Sequence, residues 1–148
     1  MTKAGQILLT FLLIATAGVS IAVDANESHL FNPNWPPHAV FHDVALLAYL
    51  TLLCVAGLWL VWRGGPEPGK DRAIAALICG GFWATFFVAG FFPGSSPAAH
   101  THDPPPIEAL GTMGYPNMLI AAVSVPLSVL GWWLARPRRS DDAAPTAA

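Results

Sequence analysis

Five histidines, His29, His38, His42, His100 and His102, stand in two segments of this chain that contain no Lys or Arg. The first segment runs from Asp24 to Asp43 and ends Trp35-Pro-Pro-His38-Ala-Val-Phe41-His42-Asp43. Proline is favoured at the first position of a helix, because its missing N–H would have no partner there, so Pro37 predicts a helix start. Such a helix places His38 and His42 one turn apart on one face, with Tyr49 a heptad further along the same face. Two imidazoles at this spacing have chelating geometry and suit Zn, Cu or Fe. His29 is the candidate third ligand, and Asp43 or Glu27 the candidate orienting carboxylate. His38, His42 and Asp43 also form a candidate acid/base set, since an imidazole transfers protons near neutral pH. Trp35, Phe41, Asn32 and Tyr49 are expected to shape a ligand pocket beside them. The second segment adds His100-Thr-His102-Asp103 as further candidate ligands. The structural alternative is that the histidines cap helices or hydrogen-bond loop carbonyls at a membrane interface.

The elements that must position these residues are apolar. The chain has 148 residues, 54% of them hydrophobic and 11% charged, well below the charge content of a soluble domain. Four runs, 7–23, 44–62, 73–92 and 117–135, contain no Asp, Glu, Lys, Arg or His. As helices they measure about 26–30 Å, which matches a hydrocarbon core of roughly 30 Å. Backbone amides cannot stay unpaired in lipid, so the expected fold class is an all-α integral membrane four-helix bundle, a single domain over residues 1–139. The first run exceeds a usual signal-peptide core and Ile21-Ala-Val-Asp-Ala25 is a poor cleavage site, so an uncleaved helix is expected. Residues 140–148 are expected to be disordered.

Lys3, Arg63, Lys70, Arg72, Arg136, Arg138 and Arg139 all fall on one side of a four-span layout. The positive-inside rule then makes both termini cytoplasmic and puts every histidine outside. Low Lys with high Ala, Gly and Pro suggests a bacterial source, hence the inner (plasma) membrane with the histidines periplasmic or extracellular. The inner loop from Arg63 to Arg72 is read as a short turn whose charges are topology signals. Cys54 and Cys79 lie within spans, where a structural disulfide is not expected. Gly80-Gly81 is read as a helix-packing feature, and Pro126 is expected to kink the fourth span, with Ser124 and Ser128 serving freed carbonyls.

A net charge of −2 offers no basic surface for nucleic acid. The spans hold none of the charges that ion pumps and proton-coupled transporters use, which disfavours transport.

The loop His29-Leu-Phe-Asn32-Pro33-Asn-Trp35-Pro-Pro37-His38-Ala-Val-Phe41-His42 resembles the signature of a family of small four-span membrane proteins of unknown function from bacteria and fungi. That resemblance implies the four-helix layout and no particular activity. The layout is also similar in architecture to the emopamil-binding and sterol-isomerase group, compact membrane bundles that act on apolar ligands. This chain departs from that group in having no acidic residue inside its spans.

The leading expectation is a membrane protein whose outer mouth holds a histidine-rich site. It would be a metal-assisted or acid/base enzyme for a small apolar or lipid-like molecule that arrives from the bilayer. The alternatives are a non-catalytic accessory subunit that docks on a membrane partner through the Pro/Trp-rich loop, and a lipid- or sterol-binding protein.

Overall fold

A computed structural model describes residues 3–98 and 105–137. Its four long helices are α1 (Lys3–Asp24), α2 (Pro37–Trp62), α3 (Pro68–Ala89) and α4 (Pro116–Ala135), with a 3₁₀ helix at Glu108–Gly114 ahead of α4. Among the described residues there is no strand. The tail 140–148, and with it the expected disorder, lies outside the described residues, as do His100, His102 and Asp103.

Prolines open three of the helices: Pro37, Pro68 and Pro116 each occupy the first turn, and Pro36 and Tyr115 precede two of them in extended conformation. This start rule moves two boundaries away from the apolar runs. Helix α2 begins at Pro37 rather than at 44, because His38, His42 and Asp43 lower hydropathy without breaking a helix. Helix α3 begins at Pro68 rather than at 73 and stops at Ala89, which leaves Phe91 and Phe92 beyond its end.

The helices pack in a ring in chain order, with α4 closing onto α1 and α1 also touching α3 across the middle. Cross-helix contacts show that neighbours run antiparallel. Gln6, near the start of α1, donates from Nε2 to the Val61 carbonyl at the end of α2 (2.9 Å), and Arg72, near the start of α3, donates from Nη1 to the Ala135 carbonyl at the end of α4 (3.0 Å). One end of the bundle therefore gathers Arg63, Asp71, Arg72 and Arg136, and the opposite end gathers His29, His38 and His42.

Close approach rests on small residues. A Cβ on Gly5 would overlap the Ala135 amide and lie 2.7 Å from the Gly131 carbonyl oxygen, so only glycine lets α1 meet α4 here. A Cβ on Gly80 would sit 3.0 Å from that of Ser128, whereas one on Gly81 would meet only Leu77 at 3.7 Å; of the Gly80-Gly81 pair, Gly80 does the packing. Helix α4 runs continuously through Pro126, and the Ser128 hydroxyl donates to the Ser124 carbonyl (2.8 Å).

Leu9, Leu13, Val61, Ala75, Cys79 and Ala121 are fully buried in the centre. One polar cluster there joins α1 to α3: Trp83 donates from Nε1 to the Thr16 hydroxyl (2.9 Å), which also lies 3.2 Å from Cys79 Sγ. Outward, large apolar side chains such as Phe11, Leu52 and Leu77 are about two-thirds exposed around the bundle. A soluble monomer rarely carries such a surface, whereas a lipid bilayer is compatible with it. All four helices are long and apolar enough to cross a membrane.

Candidate functional site

The histidine end is built on the first turn of α2. Ala39 and Val40 donate their amides to the Pro36 carbonyl, which fixes the helix start and sets His38 and His42 one turn apart. Their Nε2 atoms stand 3.0 Å apart, and the rings meet edge to face at 4.4 Å between centroids. Phe41 lies edge-on to His42 at 5.8 Å. At this separation an Nε2–H on one imidazole can donate to the Nε2 lone pair of the other. Both rings are exposed, as are Phe41 and Tyr49, so this face of α2 looks away from the bundle.

Asp43 is next in sequence but sits about 100° further round the helix. It falls one turn before Leu47 on the stripe that continues through Leu50, Cys54, Gly57 and Val61, all buried against the bundle. Its Oδ2 is buried and has no hydrogen-bond partner among the described residues. The carboxylates of Asp24 and Asp43 repel each other where α1 and α2 approach. Asp43 thus belongs to the inner face, and no hydrogen bond among the described residues joins it to either imidazole.

His29 is held elsewhere. Its Nδ1 is 2.8 Å from the Ser28 hydroxyl, its Nε2 is 4.0 Å from Asp24, and its ring packs edge to face on Trp35 at 5.4 Å. Among the described residues no three His, Cys, Asp or Glu side chains converge in a metal-ligand cluster, so His38 and His42 stand as a pair. Asn32 builds the loop: its Oδ1 accepts from the Asn34 amide (2.9 Å), and its main-chain carbonyl accepts from the Trp35 amide (3.1 Å). With Glu27, Ser28, Phe31, Pro33 and Asn34 it lines a shallow, open depression separate from the histidine pair. Of the expected pocket residues, Trp35 supports His29, Asn32 helps line this depression, Phe41 packs on His42, and Tyr49 is exposed two turns further along α2.

The opposite end carries polar structure that reading the charges as topology signals had missed. Arg63 makes a two-point contact with Asp71, from Nε to Oδ2 (2.8 Å) and from Nη2 to Oδ1 (2.6 Å). Arg72 is almost fully buried. The available signal was Pro68, since a helix beginning there places Asp71 in its first turn and Arg72 directly after it.

The sequence matches the model of a family of unknown function, DUF6640, over residues 9–145. The chain belongs to the DUF6640 family. The matched region holds most of α1, all of the other three long helices, and His29, His38 and His42, so this DUF6640 member's histidine end lies within its family region. No curated protein and no solved structure matches the chain.

Proposed function

We propose that this DUF6640 protein is an integral membrane protein with cytoplasmic termini that binds a transition metal at His38 and His42 on its outer face. The site would serve metal-assisted or acid/base chemistry on a small apolar or lipid-like molecule. The observation that carries this reading is the 3.0 Å separation of the two Nε2 atoms. A tetrahedral ion with metal–nitrogen bonds of about 2.0–2.1 Å needs its nitrogens about 3.3 Å apart. The pair therefore needs to open by only a few tenths of an ångström. Two helical histidines four residues apart are a recurring zinc-binding arrangement, and imidazole also suits Cu and Fe.

Several properties fit a working site. The pair leaves coordination positions open, as catalytic metal sites do. A bound metal would supply Lewis acidity towards a polar headgroup, while the metal-free pair can pass a proton from one imidazole to the other. Phe41 packs on His42, and exposed Tyr49 lies two turns further along the same face of α2, which gives apolar surface where a lipid-like molecule can lie without leaving the bilayer. The test is elemental analysis of protein purified without a His tag, beside the His38→Ala/His42→Ala variant. Metal in the parent that is absent from the variant supports the site; equal metal content in both refutes it.

A second reading, a non-catalytic subunit of a larger membrane assembly, draws on four aromatic side chains towards the histidine end. Phe31 and Phe41 are about two-thirds exposed, and Phe91 and Phe92 more so. This reading predicts a copurifying membrane partner that is lost in Phe31→Ala or Trp35→Ala and retained in the histidine variant.

A further inference from the structure

Helix α2 carries two apolar seams. The inner one, Leu47, Leu50, Cys54, Gly57 and Val61, is buried within the bundle. The outer one runs His38, His42, Ala45, Tyr49, Leu52, Ala56 and Trp59, with alternating steps of four and three residues along most of the helix. Every residue of this outer seam is exposed. A strict 3.5-residue repeat is the pattern by which one helix meets another in left-handed packing, and small residues such as Ala45 and Ala56 permit close approach. No Asp, Glu, Lys or Arg interrupts the seam, and it ends at the two imidazoles.

On the reading of His38 and His42 as metal ligands, we infer that a second copy of this chain packs along the outer seam of α2 and completes the site. Coordination chemistry and symmetry point to the same occupant. A closed tetrahedral ion takes four ligands, and among the described residues the pair supplies only two. Copies inserted in one membrane with one orientation can be related by a two-fold axis along the membrane normal, which keeps identical residues at identical depth. An isologous contact through the seam therefore sets His38 and His42 of one copy level with the same two residues of its partner. Four imidazoles then surround one ion, which has no open position in the dimer and joins the two copies, so that metal-assisted chemistry belongs to the single chain, whose pair leaves positions open. The α2 helices run parallel below the ion with Ala45, Tyr49, Leu52 and Ala56 facing their counterparts. Metal binding and dimerisation become one equilibrium, in which each favours the other.

The experiment titrates Zn2+ into the full chain in detergent after chelator treatment. It reads bound zinc per chain together with the mass of the protein by light scattering corrected for detergent. The inference expects one zinc per two chains, a dimer that forms with zinc and dissociates with chelator, and loss of both in His42→Ala. Ala45→Trp leaves both ligands in place and wedges the seam, so it is expected to weaken zinc binding at least about tenfold and shift the protein to monomer. One zinc per chain, whether on a monomer or on a dimer, overturns the shared site and leaves the metal reading standing, with ligands completed within the chain. Zinc binding and mass unchanged by Ala45→Trp also overturn the shared site. No bound zinc in the parent overturns both.

Discussion

Replacing Gly5 by Ala tests the packing that closes the bundle. The added methyl would lie 2.7 Å from both the Gly131 carbonyl oxygen and the Leu134 carbonyl carbon, where ordinary contact begins near 3.4 Å. The two helices must therefore separate locally by more than about 0.7 Å, since the Ala135 amide nitrogen lies closer still, and the obstructing atoms are backbone, which cannot rotate away. Overpacking of this kind costs about 1–3 kcal/mol. Gly18 lies in the same helix and a Cβ there meets nothing within 4 Å, so Gly18→Ala carries only the gain in helix propensity, at most about 1 kcal/mol. The comparison thus isolates the packing term: Gly5→Ala should fall below the parent in stability and Gly18→Ala should equal or exceed it. The assay is equilibrium unfolding of both variants in mixed micelles of increasing denaturing-detergent fraction, followed by circular dichroism. Equal stability of the two variants would refute the close α1–α4 contact and the ring order built on it.

Three further outcomes follow from particular contacts. Thr16→Val keeps the shape but leaves the buried Trp83 N–H without its acceptor. It should destabilise the bundle by about 1 kcal/mol, and Thr16→Ser should restore most of that in the same unfolding assay. His29→Ala should leave metal affinity unchanged in a zinc-competition titration, because His29 is engaged with Ser28, Asp24 and Trp35. Zinc affinity should fall as the pH is lowered, because protons compete with the metal for the same imidazole lone pairs. An affinity independent of pH would exclude imidazole ligation.

Hydropathy carried the number and order of the long helices, because lipid-facing and core-facing surfaces are both apolar and leave continuous runs. It placed the helix starts of α2 and α3 less well, since polar residues at a helix end reduce apolarity without ending the helix. Pro37 and Pro68 mark those starts, and Pro37 also fixed the relation of His38 to His42. Whether His29 reaches that pair was beyond spacing alone, because it depends on the path of residues 25–36, which Asn26 and Asn32 set by side-chain bonds to nearby backbone. Asp43 shows the same limit at shorter range. Adjacent to His42 in sequence, it is turned by the helix onto the other seam, where it faces the bundle rather than the imidazoles. Arg63, Asp71 and Arg72 looked like topology signals because a charge count does not reveal which charges pair; the ion pair needs both the turn and the first turn of α3 to be placed.

The most direct test of the histidine site is the 15N spectrum of protein labelled in histidine, recorded before and after Zn2+ is added. The account predicts that the Nε2 resonances of His38 and His42, assigned with single substitutions, move together on zinc addition while those of His29 stay in place. Zinc bound with no movement at His38 and His42 would contradict it, because the ion would then be held by other residues.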